Sequence, residues 1–393
     1  MGIAIKERRA IVKELHGKYV RMTKTQKRKL LDQIVAVQGY NRNYAARLLR
    51  CGHRARRRAR TGQGQRYGAA VHAALVVVWR IYDCICGKRM APQIGEMVRT
   101  LIRFGELRCV PHVATQLSHM SAATIDRQLK PERKSMAQLC RSRTRPGLLL
   151  KHQVPTRTYD QWREAGVGEV AVDCVGHDGG STRGEYNQTV TVTDVATTWT
   201  MIRAVRNKAQ VWVKAALARM RSQFPFPWRS MHSDSGAEFI NAHLLHYTRA
   251  TGISFTRSRA DKKNDNAYVE QKNNSVARRY VGYSRYTGNA DCALLNQLYE
   301  VLNVYVNFFL PSMKCIEKTR VGGKVRRRYD KACTPYQRVL ASTAVAEDIK
   351  QQLRATYATL NPAELMRAIM RLQLRLFKRT EKNNVQAGYQ HAA

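Results

Sequence analysis

Acidic side chains are scarce in this chain: 28 Asp and Glu stand against 69 Lys and Arg, a formal net charge of +41. That imbalance excludes a polycationic partner and points to a polyanion, nucleic acid before others, held by steeply salt-dependent binding. It is strongest towards the N-terminus, where the first 150 residues hold 32 basic and 8 acidic side chains. Long apolar runs are lacking as well. The most apolar short stretch, 73–79, falls far short of the roughly 20 residues needed to span a bilayer, and no signal-peptide apolar block stands at the N-terminus. A soluble intracellular chain in a cytosolic or nucleoid setting is expected, with no membrane partner. Cysteine occurs nine times, an odd number scattered through the chain, which suits reduced thiols better than a disulfide framework. What is there is otherwise ordinary: 393 residues with 44% hydrophobic content leave room for packed domains and exclude a disordered polymer.

The first module is expected over 1–53. Leu30, Leu31, Ile34 and Val37 recur at helical spacing, the pattern breaks at Gln38-Gly39-Tyr40, and it resumes with Tyr44, Ala45, Leu48 and Leu49. Helix, tight turn and helix predict a helix-turn-helix whose second helix offers Asn41, Arg42, Asn43 and Arg47 to base edges and phosphates. A plain helical hairpin with a solvated face is the blander alternative. Residues 54–68 read as a basic linker, with Arg56, Arg57 and Arg58 placed to lie along phosphates or in a minor groove. Residues 69–135 read as helical, first around Cys86-Gly87-Lys88-Arg89 and then as a second candidate helix-turn-helix at 113–117 and 122–129, with Ser121 as N-cap and Arg127 towards DNA. From 131 periodicity is lost among Arg141, Arg143, Arg145, Pro146 and Pro155, so 136–164 reads as an extended basic connector.

Beyond 165 the texture changes. Short β-branched runs at 168–175, 188–195 and 198–205 predict three successive strands. A helix is expected at 208–224, a strand at 228–232, a helix at 238–251, a strand at 253–256 and a long helix at 264–283. The order βββαβαβα marks an α/β domain over 165–310. Its last helix, 294–310, carries Tyr299, Tyr305, Phe308 and Phe309, a stripe that reads as core before it reads as a dimer surface. A small region, 311–393, follows: a basic hairpin over 314–329, helices over 344–378 and a frayed end from 380.

In so basic a chain a carboxylate at a strand end needs a reason, because a charge beside a core is costly unless paired or bound to metal. Asp173 ends the first predicted strand and Asp234 the fourth, and Glu270 stands near the start of the long helix. Each taken alone reads more simply as a turn, cap or solvated residue. Together they are chemically adequate for phosphodiester chemistry, which asks for an activated hydroxyl and neutralised phosphate charge, work that two Mg²⁺ ions can do. Hard cations take oxygen ligands, and a few carboxylates with water and substrate phosphates are the usual set. Around Glu270, helical spacing brings Asn266 and Asn273 onto neighbouring faces, where they are expected to contact DNA. The basic run before the helix, with Arg257, Arg259, Lys262 and Lys263, is expected to grip a DNA end.

The three carboxylates, with 35 residues between Asp234 and Glu270, resemble the D, D, 35, E signature of insertion-sequence transposases and retroviral-type integrases. The texts around them, HSDSGAEF and KKNDNAYVEQKN, are closer to the bacterial transposases than to the viral enzymes. The resemblance covers about 165–310, and two positions depart from the common pattern: Ser235, where Asn is frequent, and Asn274, where an aromatic is common. It implies a multidomain protein: an all-α helix-turn-helix region, an α/β ribonuclease-H-like core and a small C-terminal region. It also implies two Mg²⁺ ions, with Mn²⁺ as a substitute, bridged by Asp173 and completed by Asp234 and Glu270. The expected activity is cleavage at the terminal inverted repeats of a mobile element and strand transfer into target DNA by a DNA-bound homo-oligomer in a bacterial cytoplasm, associated with the nucleoid. Two rival readings stand beside it: a sequence-specific DNA-binding regulator, and a ribonuclease-H-like nuclease without strand transfer.

Overall fold

The computed structural model describes residues 5–51, 67–137, 165–234, 236, 238–258, 267–321 and 324–390. The chain divides into two compact units, Met1–Arg66 and Tyr67–Ala393.

The first unit holds α1 (Ile5–Arg21), α2 (Lys24–Gln38) and α3 (Arg42–Cys51). A capping box starts α2: the Thr23 hydroxyl accepts from the Gln26 N–H, and the Gln26 side chain accepts from the Thr23 N–H. Gly39 ends the helix at φ 65°, a left-handed conformation that glycine adopts without steric penalty. The reversal lets Leu31 and Ile34 of α2 meet Ala45 and Leu49 of α3 in a small core closed by Tyr19. Helix α1, which supplies that tyrosine, adds to the two expected helices. Its apolar positions Val12, Leu15 and Tyr19 are few but share one face.

The second unit opens with α4 (Ala69–Ile81), α5 (Gly87–Met90), α6 (Ile94–Arg103), α7 (Pro111–Ser118), α8 (Ala122–Gln128) and α9 (Lys130–Ala137). Ser121 caps α8 by accepting from the Thr124 N–H. Helix α9 corrects the expectation that order is lost from 131. Pro131 falls in its first turn, where a missing N–H costs nothing, and Glu132 complements the helix dipole there. Most of the expected connector, 138–164, lies outside the described residues.

Five strands form the sheet: β1 (Glu169–Gly176), β2 (Gln188–Asp194), β3 (Thr200–Val205), β4 (Ser230–Ser233) and β5 (Ser254–Arg257), with α10 (Gln210–Gln223) and α11 (Ala242–Ala250) in the crossovers. The spatial order is β3-β2-β1-β4-β5, antiparallel from β1 through β3 and parallel from β1 through β5. The helix expected at 264–283 is present in three pieces, α12 (Ala267–Lys272), a π-helical stretch (Asn273–Arg278) and α13 (Arg279–Val281). After α14 (Gly288–Phe309) come the expected hairpin, β6 (Cys315–Val321) with β7 (Lys324–Tyr329), and then α15 (Pro335–Ala341), α16 (Glu347–Thr359) and α17 (Pro362–Gln390). Helix α17 runs through the segment expected to fray.

One hydrophobic cluster joins Leu75 and Trp79 of α4, Val170 and Val172 of β1, Leu298 and Leu302 of α14, and Ile369 of α17, so the helices of 69–135 share their core with the sheet. The aromatic stripe of α14 is core: Tyr299, Tyr305, Phe308 and Phe309 are all buried. The same helix covers the free edge of β3 with asparagines. Asn296, Asn303 and Asn307 each accept from the N–H and donate to the C=O of one residue, Ala204, Ile202 and Thr200 respectively. Those alternate backbone groups would otherwise be open to another strand.

Candidate active site

The register of the two central parallel strands sets the site. Val172 of β1 lies opposite Ser233 of β4, so the next residues, Asp173 and Asp234, come side by side, Asp234 just past the end of β4 and Asp173 still within β1, opposite Thr191 of β2 and not at the strand end expected for it. Side chains alternate across a strand, which sends Ala171 and Asp173 to the same face. Helix α12 packs on that face through Val269, which meets Ala171 and Val195. One turn further on, the Asn273 amide donates to Asp173 Oδ2 at 2.6 Å, while Oδ1 accepts from the Cys174 N–H at 2.8 Å. Glu270 lies one residue after Val269, in the first turn of α12 and exposed. Asn273 opens the π-helical stretch, a local widening that recurs at functional sites.

The end of β4 is pinned to β5. His232 is fully buried, with Nδ1 2.9 Å from Thr256 Oγ1 and Nε2 3.1 Å from Ser258 Oγ, and the Ser258 N–H donates to the Ser233 carbonyl. Asp234 then turns back and accepts from the Gly236 N–H at 3.1 Å. Glu238 approaches the same turn, its carboxylate held by Lys208 Nζ at 3.0 Å. A Cβ at Gly236 would sit 2.6 Å from that carboxylate and 3.1 Å from Asp234 Oδ1, so the turn has room only for glycine unless Glu238 moves.

The carboxylates repel one another. Burial first, then the charges of Asp234 and Glu270, push the Asp173 carboxyl up to about 7 against the opposing hydrogen bonds from Cys174 and Asn273. Asp234 is raised too, mainly by burial and further by Glu238, with the Gly236 N–H and Lys208 acting the other way. Of the neighbouring pair, the more enclosed Asp173 carries the penalty for charging both. Among the described residues no three His, Cys, Asp or Glu side chains stand close enough to hold a metal ion as they are placed. The donor chemistry still fits a hard divalent cation: adjacent carboxylate oxygens under mutual repulsion, with Mg²⁺ needing only one or two of them beside water and phosphate oxygens.

The other predicted residues fall into three groups. Asn41, Arg42, Asn43 and Arg47 are exposed at and along the start of α3, where Arg42 pairs with Asp32 and Arg47 lies over the Tyr44 ring, and Arg127 is exposed on α8. Arg257 and Asn273, expected to contact DNA, are both buried. Arg257 is the last residue of β5 and 8% exposed, and Asn273 is 9% exposed because it turns inward to Asp173. Arg56, Arg57, Arg58, Arg259, Lys262, Lys263 and Asn266 lie outside the described residues. Lys208 had no signal in the sequence, since its role depends on Glu238, 30 positions away. Asp194, a further carboxylate at a strand end, is a turn residue: it accepts from Thr197 N and Oγ1 and from the Gly168 N–H.

No protein-family model matches the chain. It is 38% identical over 336 residues, 86% of this chain and 96% of the other, to the uncharacterized protein y4rM of Sinorhizobium fredii (strain NBRC 101917 / NGR234). The chain belongs to the family of y4rM. Among solved structures, the catalytic core domain of BIV integrase aligns with 49% of this chain and 99% of its own at 13% identity and a TM-score of 0.31. A superposition that loose carries no weight, and for a member of the y4rM family the chemistry rests on the sheet register and the carboxylates themselves. No helix among the described residues is long and apolar enough to cross a membrane.

Proposed function

We propose that the chain is a DNA transposase with a ribonuclease-H-like core, which binds the ends of a mobile element, cleaves there and joins the freed strand to target DNA. The observation that carries the reading is the adjacency of Asp173 and Asp234 at the parallel centre of a β3-β2-β1-β4-β5 sheet, with Glu270 near enough on α12 to shift the Asp173 carboxyl. The carboxyl end of a central parallel strand, where Asp234 stands, is where open α/β sheets place their sites. The charge of +41 favours a DNA substrate. The paired helices α2 and α3, with Asn41, Arg42, Asn43 and Arg47 exposed, favour an end-reading helix-turn-helix, and Arg127 on α8 would add phosphate contacts. Arg56, Arg57, Arg58, Arg259, Lys262 and Lys263 are assigned to DNA by charge alone.

Asp173, Asp234 and Glu270 would hold Mg²⁺, or Mn²⁺ in its place. When bound, such ions acidify an attacking hydroxyl and offset charge on the scissile phosphate. The chain's own part is to aim the ligands. Asn273 and the Cys174 N–H fix the rotamer of Asp173, the Gly236 N–H fixes Asp234, and Lys208 draws the charge of Glu238 away from it. Joining two ends implies a homo-oligomer on DNA, cytoplasmic and at the nucleoid.

The test uses purified protein, Mg²⁺ and labelled DNA from the flanks of its gene, with Asp234→Asn in parallel. Wild type should yield cut and joined strands, and the variant should bind the same DNA and yield neither. Joining by the variant would refute the assignment, and cleavage of an RNA:DNA hybrid without joining would make the protein a nuclease.

A further inference from the structure

The helix that carries Glu270 has a second working face. Beside the residues that meet Asp173, Tyr268, Lys272, Ser275 and Arg279 form one wall of a cavity of about 530 Å³. The remaining walls come from distant parts of the chain: the turn after α4 with Asp83, α5 with Arg89, the segment after α14 with Lys314, and β7 with Arg327 and Tyr329. A volume of this order is that of a small-molecule site.

Its charge is lopsided. Arg89, Lys272, Arg279, Lys314 and Arg327 line it against one carboxylate, Asp83. That carboxylate is already committed, paired with Arg279 and accepting from the Tyr280 hydroxyl at 2.8 Å. Arg89 uses its Nε on the neutral Pro311 carbonyl, and Lys314 places its ammonium on the Ala196 carbonyl with Asp194 and Asp330 as charged neighbours, so of the two it is Arg89 that has no carboxylate partner. Lys272 is the most exacting case. It is 8% exposed, its charged neighbours are Arg89 and Arg338, and among the described residues its ammonium has neither an ion pair nor a hydrogen bond. A buried cation facing other cations is stable only at a cost that an anion in the same space would remove.

We infer that this cavity binds a phosphate group of a nucleotide-sized ligand, with Lys272 as its buried point charge and the guanidinium groups of Arg89 and Arg327 as forked donors to the phosphate oxygens. The phosphate comes either from a free polyphosphate or from a DNA strand led along the catalytic helix. Because Lys272 and Asn273 are adjacent on that helix, occupancy would stiffen the turn that holds Asp173.

The full-length protein is titrated with inorganic pyrophosphate at constant ionic strength, read by calorimetry and by melting temperature, beside Lys272→Met and Arg327→Gln. Wild type should melt higher as pyrophosphate rises, as a ligand bound only by the folded state requires. Lys272→Met should melt above wild type without pyrophosphate, since it removes an uncompensated charge, and should lose at least about tenfold in affinity. Arg327→Gln, an exposed change that spares folding, should weaken binding by a smaller factor. Competition by a short single-stranded oligonucleotide would identify a DNA strand as the source, and pyrophosphate binding untouched by the oligonucleotide would identify a free ligand. No rise in melting temperature with pyrophosphate, or equal rises in wild type and both variants, would overturn the proposal. None of these readouts depends on DNA rearrangement, so they stand or fall apart from the transposase reading.

Discussion

Asn273 and Asp173 are 100 positions apart, yet the amide of one sets the rotamer of the other. Such supporting partners typically change metal affinity or activity by about 10 to 100-fold when removed. Asn273→Ala should therefore lower strand joining by that order while DNA binding, measured by gel shift, stays as it was. An equal fall in both would mean that Asn273 contacts DNA after all. The Asp173 carboxyl gives a second prediction. Its value rises from about 3.8 in an unfolded chain to about 7 in the fold, so the folded state holds that proton more tightly. The stability it contributes is complete below about pH 4 and disappears as pH climbs through 7. In chelator, the melting temperature of wild type should fall relative to Asp173→Asn between about pH 5 and pH 8, and Mg²⁺ at the upper end should raise wild type alone. A gap that ignores both pH and Mg²⁺ would contradict the electrostatics of the site.

Helix α14 shows how an element protects its neighbour. Its three asparagines satisfy alternate backbone groups on the edge of β3, and Asn303→Leu would leave the N–H and C=O of Ile202 facing an apolar side chain. Denaturant unfolding should show a loss of about 2 to 4 kcal/mol for the two stranded groups, and the opened edge should raise aggregation. A change near zero would mean that water replaces the amide. The sequence shows these asparagines only as polar interruptions in an apolar helix, because their partners lie in another element. The strands are readable in the sequence, since β-branched runs between turn residues depend on local order alone, and Asp234 follows from the end of β4, whereas β1 runs three residues beyond Asp173 because its pairing with β2 continues to Gly176. Arg257 and Asn273 were read outward because charge and polarity are local properties, whereas the direction a side chain takes depends on the packing of α12 and β5. The π-helical stretch has no composition of its own, and α9 is too short and polar for its periodicity to show.

Across the whole molecule, charge and carboxylates work against each other: a chain of +41 keeps acidic side chains together at the centre of its sheet. That arrangement is unfavourable in the isolated protein, and cations and phosphates sharing the proposed site would offset the repulsion. The most direct measurement is an excision and integration assay in cells, with the DNA flanking the gene as donor and wild type beside Glu270→Gln, which keeps the shape of the side chain and removes its charge. Wild type should move the donor, while the variant should occupy the element ends and leave them uncut. If wild type and variant alike bind the ends and neither rearranges them, the carboxylates are not a catalytic centre and the protein is a DNA-binding regulator.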